Sequence, residues 1–307
     1  MNATIKKLLA MLLAVLMMVC AVACAPTTEN NNNNNNNNTQ ETTEPQETTE
    51  PEPTARVEKC VHCNEDMIWT PLNQETLLPA FDGHYYLEED IQLYSEVTYT
   101  WECANVVIDL NGHTITAAEG SRAFKLTGGT CNVSILDSVG GGKVVSNVNE
   151  AAAETNGCTF FIFEGTLNLY SGTLASTATQ GLYKGGVVRV GNGKTRIGAF
   201  NMYGGTIEGG KAKLGGNVYV SAYSTFTMEG GTITGGTSDS GPNLYVDVNK
   251  DLTPANVNLN KGTITGGIFL KGAEAEATVK VGAEFVNTGV DGGYTMKTDV
   301  PAAAPAA

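Results

Sequence analysis

Phe200-Asn-Met-Tyr-Gly-Gly-Thr-Ile207, Phe226-Thr-Met-Glu-Gly-Gly-Thr-Ile233 and Val257-Asn-Leu-Asn-Lys-Gly-Thr-Ile264 are three copies of one phrase, starting 26 and 31 residues apart. Weaker copies precede them: Leu167-Asn-Leu-Tyr-Ser-Gly-Thr-Leu174, the fragment Val133-Ser-Ile135, and Ile108-Asp-Leu-Asn-Gly-His-Thr-Ile115. Self-similarity at this interval marks a stacked-repeat protein, in which each unit buries its apolar face only against its neighbours. Within a copy, apolar and polar positions alternate with period 2 on both sides of a glycine. The pattern specifies two short strands joined by a bend.

A third alternating segment follows each bend: Val187–Val190, Asn217–Val220, Asn243–Val246 and Ile268–Leu270. Three strands per repeat predict an all-β chain wound as a parallel β-helix of about six or seven coils over residues 81–285. From Ile108 to Val257 the steps are 25, 34, 33, 26 and 31 residues, so bends absorb insertions while strands stay in register. A propeller needs four strands per blade, and a leucine-rich repeat needs its own Leu/Asn spacing. Neither pattern is present. Helical solenoids are excluded by 36 glycines and by the lack of a sustained 3.6-residue period.

The run Val107-Ile-Asp-Leu-Asn-Gly-His-Thr-Ile115, followed by Gly-Gly-Thr-Ile and Asn-Val-Tyr-Val units, resembles the pectate-lyase-like surface proteins of gut bacteria, which implies a right-handed parallel β-helix. The resemblance spans roughly residues 60 to 285 and implies a fold more than an activity, because the shared phrases are scaffold.

Residues 1–23 carry Lys6 and Lys7, then an apolar run, then small residues, the arrangement of an export signal. Ala21-Val22-Ala23-Cys24 is similar to a bacterial lipoprotein cleavage box, which would make Cys24 the site of lipid attachment and tie the exported chain to the membrane at the cell surface. Residues 24–56 hold nine consecutive asparagines and a Thr/Glu/Pro-rich stretch with little to bury, as expected of a disordered tether. Residues 57–80 form a separate Cys/Trp-containing element, and 286–307 a C-terminal tail. The formal net charge of -14 argues against a nucleic-acid partner.

Of seven cysteines, Cys60 and Cys63 form a Cys-x-x-Cys pair that makes half a zinc site, with no second such pair to complete it. A local or longer-range disulfide and reduced thiols are the competing readings. Cys103, Cys131 and Cys158 recur at nearly one coil but in different registers. Asp247, Asn249 and Asp251 resemble the opening of a calcium loop, lacking its central glycine and distal glutamate. His113 lies in a bend phrase, where a turn role is expected. No Gly-x-Ser-x-Gly elbow and no phosphate-binding loop is present.

Polysaccharide lyases and hydrolases on this fold class place carboxylates together on one outer face. Aligned on the repeat, Asp109 falls with Ser134, Asn168, Asn201, Thr227 and Asn258, and Glu208 with Ala175, Thr234 and Thr265. No catalytic set emerges, so no catalytic residue is assigned and a lyase or hydrolase remains the alternative reading. With Val188, Val190, Val218, Val220, Leu244 and Val246 facing in, Arg189, Tyr219, Tyr245 and Phe269 face out as a row and are the candidate ligand-binding residues. A covering segment or stacking for its own sake is the competing explanation. Thr114, Thr173, Thr206, Thr232 and Thr263 form another outward row, with Thr116, Thr234 and Thr265 two residues on. Asn217 and Asn243 stand where side-chain amides would stack at a bend. The sequence thus points to a lipid-anchored surface protein for adhesion or glycan binding, with host or dietary glycan or a surface protein as partner, or to a structural spacer.

Overall fold

The structure, a computed structural model, describes residues 56–288 except 61–62, 77, 79–80, 101–103 and 149–158. It is a parallel β-helix of seven coils. The third face shows the count: Val97–Tyr99, Phe124–Leu126, Phe160–Ile162, Val188–Val190, Val218–Val220, Leu244–Val246 and Ile268–Leu270 form a seven-stranded sheet with one strand per coil. The first and second faces carry the two halves of the repeated phrase. They merge into one sheet because Thr225–Thr234 and Asn256–Ile264 run through the bend unbroken. Three coils add a short fourth strand, Leu182–Lys184, Lys211–Leu214 and Thr237–Ser240, between the second and third faces.

Inside, like stacks on like. Phe200 lies over Phe226 at 5.2 Å between ring centroids, and Phe124 over Phe160 at 4.6 Å. Leu167, Phe200, Phe226 and Val257 occupy one fully buried column. Both glycines of the phrase lie against the backbone of the coil below: a Cβ on Gly230 would stand 2.4 Å from the carbonyl oxygen of Tyr203, and one on Gly231 2.6 Å from that of Gly205, with Gly231 in addition at φ of +85°, which a side chain rarely tolerates. The expected asparagine stack at the bend is formed. Asn217 Nδ2 donates to Asn243 Oδ1 at 2.7 Å and to the Thr234 carbonyl at 2.7 Å, while its Oδ1 accepts the Gly210 N–H at 2.8 Å.

The register of the Ile108 copy differs from the sequence alignment by two residues. Val106, not Ile108, pairs with Val133, and Asp109 pairs with Leu136. Ser134, Asn168, Asn201, Thr227 and Asn258 therefore continue the row of His84 and Val107. The cause lies in the bend. Five residues separate the paired positions Ile108 and Thr114, seven separate Ile135 and Lys143, and three separate Leu169 and Thr173. These lengths differ in steps of two, so inside and outside are preserved although the alignment slips.

Buried carboxylates hold the enlarged bends. Asp109 Oδ1 accepts the N–H groups of Asn111 and Ser138, each at 2.9 Å, and Asp137 accepts those of Gly112 and Gly142 at 2.8 and 2.7 Å. His113 has the turn role expected of it, with its N–H bonded to the Leu110 carbonyl at 2.8 Å.

At the N-terminal end Arg56–Lys59 pairs antiparallel with Asp66–Leu72, which itself joins the parallel sheet beside Gly83–Leu87. The other end carries a short helix, Gly272–Thr278, then a last strand, Val279–Asn287, paired with Asn256–Ile264.

Candidate functional site

The outward row of the third face forms in the expected register: Arg189 beside Tyr219, Tyr219 beside Tyr245, and Tyr245 beside Phe269. Phe161 extends it by one coil. Ring centroids are 5.3 Å apart for Tyr219 and Tyr245 and 5.0 Å for Tyr245 and Phe269, nearly parallel in both pairs. The expected exposure is not observed for three of the four residues, while Phe269 at the end of the row is half-buried. Arg189, Tyr219 and Tyr245 are 3%, 0% and 5% exposed.

Tyr245 lies between the rings of Tyr219 and Phe269, Tyr219 lies between Tyr245 and the Arg189 guanidinium, and Tyr219 is also covered from the flank. Lys184 Nζ lies 4.7 Å from the Tyr219 ring centroid, and the Tyr219 hydroxyl donates to Asp247 Oδ2. Arg189 lies between Phe161 and Tyr219, at 4.8 and 5.9 Å from their centroids, with Nη1 buried without a hydrogen-bond partner. Burial lowers its pKa to about 10. Burial also raises the Tyr219 phenol, helped by the Asp247 charge, and raises Tyr245 to about 12. Such a row braces the face by stacking.

Asp247 is consumed by the same structure. Its Oδ1 accepts the Val248 N–H at 2.9 Å and Lys271 Nζ at 2.8 Å. Asn249 Oδ1 accepts the Thr253 N–H at 2.7 Å, and its Nδ2 donates to the Tyr223 hydroxyl at 2.6 Å. With a lysine on Asp247 and Asn249 tied into its own turn, Asp247, Asn249 and Asp251 do not present the converging free oxygens that calcium requires.

An open groove of about 380 Å³ lies on the second face. Its floor is the outward row Val145, Ala175, Glu208 and Thr234, one residue from each of four successive coils. Lys143, Ser176, Thr177 and the corner glycines Gly209 and Gly235 complete the lining. At about 4.8 Å per coil the floor runs some 15 Å along the axis. Among the described residues no donor is bonded to the Glu208 carboxylate, and no second carboxylate lines the groove. The arrangement offers hydroxyls, one carboxylate and one ammonium to an elongated ligand, without the acid/base pair of glycoside cleavage.

A different cluster gathers around Cys60 and Cys63. His84, which the sequence reading did not connect with them, brings its ring to the pair, and the three ligating atoms lie within 4.8 Å of one another. Cys63 Sγ is 3.7 Å from His84 Nε2. Trp69, next to His84 in register, meets the imidazole edge-on with centroids 5.1 Å apart. Cys60 is fully buried in a small apolar cluster with Trp69, Val107 and Leu136. Trp69 and His84 share an outward parity, the one sequence signal that could have linked them.

Cys131 sits in the core, 1% exposed. The export signal, Cys24, the tether, Cys103, Cys158 and most of the C-terminal tail lie outside the described residues. Among the described residues no helix is long and apolar enough to cross a membrane. The chain matches no protein-family model, and neither a curated protein nor a solved structure is significantly similar to it.

Proposed function

We propose that this chain is an exported surface protein, lipid-anchored through Cys24, whose β-helix holds an extended glycan in the second-face groove without cleaving it. The carrying observation is the groove itself: the equivalent outward positions Val145, Ala175, Glu208 and Thr234 on four successive coils make a straight floor, which carries a lone carboxylate and is edged by the hydroxyls of Ser176, Thr177 and Thr234. A polymer lying along the axis meets one outward position on every coil, so modest contacts add along its length. One carboxylate orients hydroxyls but does not supply both a general acid and a base. The buried Arg189, Tyr219, Tyr245 row supports the trough from an adjoining face by keeping the coils in register, and its ring faces are not open to a sugar.

The test is a glycan array probed with the mature chain, followed by titration of the retained ligands against Glu208→Gln and Thr234→Val. A loss of roughly tenfold per variant is expected for groups that bond the ligand. Unchanged affinity in both would refute the groove. New reducing ends or unsaturated-uronate absorbance during incubation would replace the non-catalytic reading with a lyase or hydrolase. Retention of no glycan would leave a surface spacer. For the anchor, Cys24→Ala should release the chain from the membrane fraction into the medium.

A further inference from the structure

We propose that Cys60, Cys63 and His84 bind a zinc ion that staples the N-terminal hairpin to the first coil. The proposal is independent of the groove. Zinc held tetrahedrally by these three groups, with water in the fourth position beside the half-buried Cys63, at Zn–S of about 2.3 Å and Zn–N of about 2.0–2.1 Å, places sulfur and nitrogen ligands about 3.5 Å apart and two sulfurs about 3.8 Å apart. Cys63 Sγ and His84 Nε2 are 3.7 Å apart, and no pair among the three ligating atoms exceeds 4.8 Å. Closing around the ion thus takes movements of an ångström or less, within the reach of side-chain rotation.

Local structure preorganises the trio. The Cys60 N–H donates to the Glu65 carbonyl at 2.8 Å and the Asn64 N–H to the Cys60 carbonyl at 2.7 Å, which ties Cys60 to the residues that follow Cys63. Asn64 takes φ of +59°, a conformation asparagine adopts more readily than most residues. Trp69 fixes the plane of the His84 ring from its edge. That contact restricts the imidazole to few rotamers.

The chemistry selects the metal. Two thiols release their protons on binding and the imidazole binds neutral, so a divalent ion with two thiolates leaves no net charge. A neutral site suits walls made by Trp69, Val107 and Leu136. Thiolate and imidazole favour zinc over calcium or magnesium, which take oxygen ligands. The place suits a staple as well. Terminal units of a solenoid lack a neighbour on one side and need a cap. The two cysteines lie at the tip of the capping hairpin and the histidine on the first strand of the first full coil.

The experiment uses the full chain purified under reducing conditions. Metal analysis should find about one zinc per chain, and X-ray absorption should show at least two sulfurs and one imidazole nitrogen on the metal. Cobalt substitution should give the intense visible bands of tetrahedral thiolate coordination. Cys63→Ser and His84→Gln should each weaken zinc binding at least about 100-fold, whereas the exposed Asp251→Asn should leave it unchanged. Should those variants misfold, removing zinc from the wild-type chain with a chelator provides a second readout. Hydrogen exchange should then accelerate over Arg56–Leu72 while Val218–Val220 and Leu244–Val246 remain protected. Zinc-free protein with reactive thiols, a Cys60–Cys63 disulfide in its place, or full zinc retention by Cys63→Ser would each overturn the proposal.

Discussion

Replacing Asn217 with alanine tests whether the asparagine column at the third bend is a main support of the solenoid. The side chain is 0% exposed and makes three hydrogen bonds, to the Gly210 N–H, the Thr234 carbonyl and Asn243 Oδ1. Its loss strands the buried Gly210 donor, at about 1–3 kcal/mol, and takes one partner from each of two acceptors, at about 0.5–1.5 kcal/mol apiece. The small cavity left behind adds to this. The expected total is about 3–5 kcal/mol, and at about 2–4 °C per kcal/mol for a domain of this size Tm falls by roughly 10 °C. Asn243→Ala should cost a similar amount, since Asn243 accepts the Gly236 N–H at 3.1 Å and donates to the Thr265 carbonyl. Because the two share one bond, the double variant should lose about 1 kcal/mol less than the sum. Asn201→Ala is the control. It removes a bond to Asn168 at 3.0 Å on a half-buried row and should cost less than about 1 kcal/mol. Urea unfolding followed by circular dichroism and by hydrogen exchange provides the comparison. A loss for Asn217→Ala no larger than that for Asn201→Ala would refute the reasoning.

Gly231→Ala should destabilise by several kcal/mol, because the added Cβ would lie 2.6 Å from the Gly205 carbonyl oxygen at φ of +85°. Gly193→Ala, at φ of +83° with nothing within 4 Å, should cost only the conformational strain of about 1–2 kcal/mol. Thermal melts of the two variants separate contact from backbone strain, and equal losses would contradict the assignment. For the stacked row, the folded Tyr245 phenol titrates near 12 against an ordinary 10.0, and Tyr219 is raised further in the same direction. The unfolded chain therefore releases these protons first as pH rises. The stability they contribute is complete below about pH 10 and is lost progressively above it. Arg189, lowered to about 10, acts in the opposite sense. Comparison with a Tyr219→Phe/Tyr245→Phe variant isolates the tyrosines, which should make wild type lose stability more steeply between pH 10 and 11.

Several features were legible because they are local. Alternation along Phe200, Met202 and Ile207 sets which side chains enter the core, and the glycine pair sets where the chain bends. The asparagine stack followed from its position before the third strand. Parity survived even where the alignment failed, since the bends after Ile108 and Ile135 differ from that after Leu169 in steps of two residues. The two-residue slip itself was not legible, because the same Gly-Thr pattern fits either pairing until a neighbouring strand chooses one.

By itself, then, the sequence determined a solenoid, the three main strands of its coils and the inward or outward sense of their side chains, because these follow from a period of two and a repeat carried within each short segment, whereas the short fourth strand of three coils appeared only in the structure. Tertiary structure alone decided that the outward Arg189, Tyr219 and Tyr245 are covered, that Asp247 is spent on Tyr219 and Lys271, and that His84 meets Cys60 and Cys63. Each of these depends on segments that come together only when coils stack. Burial and proximity are properties of that register, whereas facing in or out is a property of one strand.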